Sequence, residues 1–162
     1  MRHSLHRSQP LGVHRPRKAA IKLALLVVVA AMALSAPAQA APPKRIVALS
    51  PFVANTLVKL GITPVGIGQT LGGQNRFSPK LKNVPVLLLS HPNGPNLEQL
   101  ASLDPDLVFS SRTWAKGNES MGDLGIRVLV HEPFRLNGAY AQTKVIGGIV
   151  GKRKAATALV RS

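Results

Sequence analysis

The sequence predicts an α/β fold with a mostly parallel central sheet, and three observations carry that prediction. Beyond residue 41, short apolar runs rich in valine, isoleucine and leucine recur, each the pattern of a strand buried on both faces. Stretches with apolar residues at helical spacing separate them. Proline, glycine and asparagine punctuate the junctions. Strands that alternate with helices in this way form a parallel sheet covered by helices.

The 162 residues suffice for one domain with a substantial core. Residues 1–40 stand apart from it. They carry Arg2, Arg7, Arg15, Arg17, Lys18 and Lys22 and no acid. The run Leu23–Leu34 is wholly apolar, Ser35 and Pro37 break it, and Ala38-Gln39-Ala40 offers a small-residue cleavage pattern. A basic start, a short apolar run and such a site predict a signal peptide over 1–40, cleaved after Ala40. A membrane anchor is the alternative, but twelve apolar residues fall short of the roughly 20 that span a bilayer. Arg15-Pro16-Arg17 is not an adjacent arginine pair, so a twin-arginine route has no support.

Each later element has its own warrant. Arg45–Leu49 reads as a first strand, Ser50-Pro51 as a turn, and Ala54–Leu60 as a helix stopped by Gly61. Pro64–Gly68 is a second strand. Gln69–Lys82 lacks any apolar period and reads as a long surface loop. Val84–Leu89 returns to a strand, and His91–Pro95 demands a turn. Asn96 is a natural N-cap for a helix carrying Leu97, Leu100, Ala101 and Leu103 on one face. Asp104-Pro105-Asp106 stops that helix, and Leu107–Phe109 follows as a buried strand. Arg112–Ser120 is polar, with Met121 and Leu124 suggesting a helix before Gly125. Ile126–Val130 is the next strand, Asn137–Val150 a helix weakened by Gly147-Gly148, and Lys154–Val160 the start of another.

Charge and composition exclude several chemistries. The formal net charge is +15, of which residues beyond 40 contribute +9 from fifteen basic and six acidic side chains. That field favours anionic partners. With no cysteine, disulfides, thiolate metal sites and thiol catalysis are ruled out. Gly66-Ile67-Gly68 and Gly72-Gly73 lack the lysine and hydroxyl residue of a phosphate loop. Ser110 and Ser111 have no nucleophile-elbow setting. Asn118-Glu119-Ser120 is a glycosylation sequon by pattern alone, and Lys152-Arg153-Lys154 reads as a solvated helix face rather than a nucleic-acid site.

In a parallel sheet, ligands gather at the carboxyl ends of the strands. That places candidates at Ser50, Pro51 and Phe52, at Gln69 and Thr70, at His91, and at Arg112 and Trp114, with His131–Phe134 at the last strand end. Trp114, the sole tryptophan, beside Arg112 suits a bulky anionic or ring-bearing ligand. Packing over the rim is the alternative for that ring. Arg76 and Arg135 are candidates for added positive charge or plain surface arginines. His91 and His131 end strands without metal-ligand spacing around them, so no metal site is expected.

Four segments carry a resemblance: RIVALSP at 45–51, LGITPVGIG at 60–68, PNLEQLASLDPDLVFSS at 95–111 and LGIRVLV at 124–130. In order and spacing they resemble the N-terminal lobe of periplasmic substrate-binding proteins of ABC importers for iron-siderophores, haem and cobalamin. The resemblance implies a Rossmann-like three-layer lobe over 41–150, the start of an interlobe helix over 151–162, and a second lobe that this sequence does not contain. It implies an exported, monomeric, non-enzymatic protein of the periplasm. It needs no cofactor; its cargo is a metal chelate, haem or corrinoid, and its partners are an ABC permease and its ATPase. The basic balance tilts the cargo toward an anionic ferric siderophore. The glutamate after Asn-Leu, here Glu98, is implied to dock on the permease; a simple helix-start acid is the other reading. Relatives often carry a glutamate where this chain has Asn55. Two rivals stand beside this reading: an exported dinucleotide-binding or flavodoxin-like enzyme domain, and an orphan lobe that no longer transports.

Overall fold

The computed structural model describes residues 41–70, 77–133, 135 and 137–162. The expected signal peptide and Arg76 lie outside them. Among the described residues the strands are β1 (Ile46–Ala48), β2 (Gly66–Gly68), β3 (Val86–Leu87), β4 (Leu89–Ser90), β5 (Gly94–Pro95), β6 (Leu107–Ser110) and β7 (Val128–Val130). The helices are α1 (Pro51–Lys59), α2 (Leu97–Ser102), α3 (Ala115–Asp123), α4 (Gly138–Ile149) and α5 (Arg153–Arg161). Five strands form a parallel sheet in the order β3-β2-β1-β6-β7. Val47 lies opposite Gly66 on one side and Val108 on the other, and Phe109 opposite Leu129. The α/β fold with a mostly parallel sheet is therefore the observed one.

Alternation along β1 explains why its run is uniformly apolar. Ile46 and Ala48 point into one core layer with Phe109, Val53, Leu57 and Ile146. Val47 and Leu49 point into the other with Val108, Leu100 and Met121. Successive side chains of a strand face opposite ways, and helices cover both faces. All of β6 is buried for the same reason.

Several junctions differ from the sequence expectation. Ser50-Pro51 is the start of α1 rather than a turn before it: Ser50 Oγ accepts from the Val53 amide at 3.4 Å, and Pro51 sits where its missing N–H has no partner to lose. Gly61 ends the helix at φ +78°, a conformation that favours glycine. The run Val84–Leu89 is broken in two. The Leu88 amide donates to Gln99 Oε1 at 3.3 Å, and Leu88 O accepts from the Asn96 amide at 3.0 Å. Those bonds draw Leu88 out of the sheet, and Leu89–Ser90 pairs antiparallel with Gly94–Pro95 instead. The long loop contains a 3₁₀ turn over Pro79–Leu81 that buries Leu81 in the core. Leu124 is 59% exposed, so the apolar face of α3 is narrower than its sequence suggests. Ala101 is likewise exposed.

Asn96 caps α2 as expected, its Oδ1 accepting from the Gln99 amide at 2.9 Å. The end of that helix is bound to the start of β1. Arg45 donates to Leu103 O at 2.6 Å and to Asp104 O at 2.8 Å. The Asp106 carboxylate accepts from the amides of Lys44 at 2.7 Å and Arg45 at 3.1 Å. Gly147 has a packing reason inside α4: a Cβ there would stand 2.2 Å from the Ala156 Cβ of α5. That close approach offsets the ~1 kcal/mol of helix propensity lost relative to alanine.

Candidate ligand-binding site

The chain runs from β1 outward through β2 to β3, then returns to β6 on the other side of β1. Such a reversal leaves a crevice beyond the carboxyl ends of the two central strands. Leu49 still continues the ladder, its amide donating to Phe109 O at 2.9 Å. Beyond it the strands part. Ser50 caps α1, and Ser111 caps the 3₁₀ turn Arg112–Trp114 by accepting from the Thr113 amide at 3.1 Å. Two serine caps at adjacent strand ends turn the backbone apart and open the cleft.

The cleft has a volume of about 710 Å³. Ser50, Pro51, Gln69, Thr70, His91 and Trp114 line it, so six sequence candidates from four separate loops meet in one place. Leu49, Leu89, Ser111, Thr113 and Glu132 are the other described residues that line it. Glu132 belongs to the strand end expected to contribute, yet nothing in its local sequence singles it out. Arg112 lines a neighbouring hollow of about 360 Å³ with Val130, Gln142 and, shared with the first, Ser111, Thr113 and Glu132. Phe52 is not at the cleft wall; it packs half-buried against the first core layer because α1 begins at Pro51 and turns its ring inward. Arg135 is exposed and lines neither hollow.

The rings of His91 and Trp114 meet edge to face, their centroids 6.2 Å apart at 61°. Two glycines make that meeting possible. A Cβ on Gly117 of α3 would lie 2.2 Å from Asn93 O, and one on Gly94 would lie 3.3 Å from Trp114 Cβ. The hairpin β4–β5 thus lies directly on the start of α3, which brings its His91 turn beside Trp114. His131 serves the scaffold, with Nδ1 3.1 Å from Gln142 Oε1 and its ring 6.1 Å from that of Phe109. Ser110 donates to Asn118 Oδ1 at 2.6 Å, and Asn118 Nδ2 donates to Ser111 O at 2.9 Å. The sequon asparagine is spent on tying β6 to α3.

Basic charge is not concentrated at the larger cleft: among the described residues that line it there is neither lysine nor arginine. No group of three His, Cys, Asp or Glu side chains gathers at metal-binding distance among the described residues. No described helix is long and apolar enough to cross a membrane. Glu98 lies away from the cleft, exposed in the first turn of α2.

Residues 46–162 match the family described as periplasmic binding protein. The chain belongs to the periplasmic binding protein family. Solved structures agree with the fold of this binding-protein lobe. An ABC transporter substrate-binding protein from Listeria monocytogenes superposes with a TM-score of 0.62 at 22% identity, over 74% of this chain and 45% of that one. SirA of Staphylococcus aureus, complexed with staphyloferrin B, gives 0.58 at 28% identity, covering 75% of this chain and 41% of its own. IsdE of S. aureus, complexed with haem, gives 0.60 at 24% identity over 72% and 44%. The chain spans less than half the length of these proteins, a share that fits the N-terminal lobe of their architecture. A comparison by sequence with curated proteins finds no match.

Proposed function

We propose that this chain is the solute-binding component of an ABC importer, taking an iron-siderophore, haem or corrinoid into the cleft between β1 and β6 and delivering it to a membrane permease. The observation that carries this is the convergence of Ser50, Gln69, Thr70, His91 and Trp114 around one cavity of about 710 Å³, in a chain of the binding-protein family. The volume lies in the range of small-molecule sites. The edge-paired His91 and Trp114 offer an aromatic wall to a ring or a chelate. Serine, threonine and glutamine side chains provide orienting polar groups. The work is binding rather than bond-making: Ser50 and Ser111 are committed as backbone caps. A proline instead of a phosphate-cradling glycine follows the first strand. Glu98 presents its carboxylate at the exposed start of α2, and we assign it the contact with the permease. In this reading the chain works in the periplasm, exported through the segment 1–40.

Trp114 is the only tryptophan, so its emission reports this site directly. Titration of the purified protein with a ferric siderophore, haem or cobalamin is expected to quench it saturably for one of the three. A flat response to all of them sinks the proposal. The substitution Glu98→Ala is expected to lower cellular uptake of that cargo about tenfold while the quenching midpoint stays unchanged. Unaltered uptake removes the docking role.

A further inference from the structure

The larger cleft carries one carboxylate among its described lining residues and no guanidinium or ammonium group. That carboxylate, Glu132, also lines the neighbouring hollow, so the two cavities meet at it. Glu132 is half-buried. Among the described residues its carboxylate has no hydrogen-bond or ion-pair partner. Arg112, which shares the smaller hollow, is already engaged by another group. The setting sharpens the contrast: the chain beyond residue 40 holds fifteen basic and six acidic side chains, yet an acid stands at the cleft.

A carboxylate at the wall of a cleft, with no donor of the protein against it, is open to a ligand N–H or ammonium, which binds it through a charge-assisted hydrogen bond. A cargo rich in carboxylates meets like charge there instead. Discrimination then comes from repulsion of the wrong cargo as much as from attraction of the right one. We infer that Glu132 is the specificity residue of the cleft, and that it selects a neutral or cationic cargo bearing amide or ammonium donors over a polycarboxylate. This rests on the binding function proposed above, and it narrows it. It departs from the tilt toward an anionic chelate drawn from net charge, which describes the whole chain rather than the wall that Glu132 occupies.

Calorimetric titration of the full chain with four probes tests it. A ferric trihydroxamate bearing a free amine and cyanocobalamin represent donor-bearing cargo without carboxylates; haemin and ferric citrate represent carboxylate-bearing cargo. The tightest binder is expected from the first pair. Glu132→Gln, which keeps the shape and removes the charge, is expected to weaken that binder about tenfold and to tighten the carboxylate probes. Urea denaturation of the variant confirms an intact fold. If haemin or ferric citrate binds tightest, or if Glu132→Gln leaves the tightest binder unchanged, the specificity role is overturned while binding itself stands. If none of the four binds, the binding function falls and the specificity role falls with it.

Discussion

Phe109→Ala is expected to cost about 4 kcal/mol of stability, within the range for emptying a fully buried phenylalanine site. Phe109 is 0% exposed and lies in β6, paired with Ala48 on one side and Leu129 on the other. Its neighbours belong to rigid strands and to α1 and α4, so the cavity has little scope to collapse. Total stabilities of domains are only about 5–15 kcal/mol, which makes this loss a large share. Urea denaturation should show the midpoint falling by about 2 M with the slope unchanged. Phe109→Leu, which refills most of the volume, should recover more than half of the loss. A midpoint for the alanine variant near that of the parent would mean that the first core layer is not packed as described.

The second large effect concerns Gly117. Alanine is the better helix former by about 1 kcal/mol, and on propensity alone Gly117→Ala would stabilise α3. Geometry decides against it: the added Cβ would lie 2.2 Å from Asn93 O and 2.8 Å from Asn93 C. The obstacles are backbone atoms of Asn93 and Gly94, which cannot rotate away, so the hairpin must retreat from α3. Overpacking of this kind costs about 3 kcal/mol at the upper end, leaving a net destabilisation of about 2 kcal/mol. The loss at the site should be more telling than the loss in stability, because the retreat carries the His91 turn away from Trp114. Trp114 emission should shift, and cargo affinity should fall about tenfold. A neighbouring control, Gly122→Ala, has open space around its Cβ and should be neutral or mildly stabilising. If Gly117→Ala behaves like Gly122→Ala, the hairpin does not rest on α3.

What could be read from the sequence was whatever local chemistry decides. The Asn96 cap, the stop at Gly61 and the buried run Leu107–Phe109 were all legible, because capping, left-handed glycine and double-sided burial each leave a mark within a few residues. The strand-end rule, applied to the predicted parallel sheet, named Ser50, Gln69, Thr70, His91 and Trp114, which line one cleft. The misses have a common origin in contacts between distant segments. Leu88 leaves the sheet because Gln99 and Asn96 take its backbone groups. Leu81 is buried, and Phe77 packs on the core, from a loop whose apolar residues follow no period. Gly94 reads as part of a turn and Gly147 as a helix weakener, while Gly117 lies in a stretch read only as polar; yet Gly117 and Gly147 are where another backbone or helix comes close. Ser50-Pro51 is a different case. A cap followed by proline at the first helical position is a recognised helix start, and that signal was present in the sequence although it read as a turn.

The bonds that join Lys44 and Arg45 to Leu103, Asp104 and Asp106 span about sixty positions of the chain. They bear on the order in which the protein assembles. β1 is made early, but it is a central strand, and one of its flanks belongs to β6. Until Asp106 and Leu107 have been synthesised, that flank is an open row of amides and carbonyls on an apolar segment, the kind of edge that recruits a foreign strand. Its own neighbour on the other flank, β2, arrives much sooner and shields only half of it. The clamp around Arg45 therefore acts as a late fastener: it pins the start of β1 at the moment its last partner is in reach. Nascent chains that end before Asp106 should be the aggregation-prone ones, and those that extend through β6 should not.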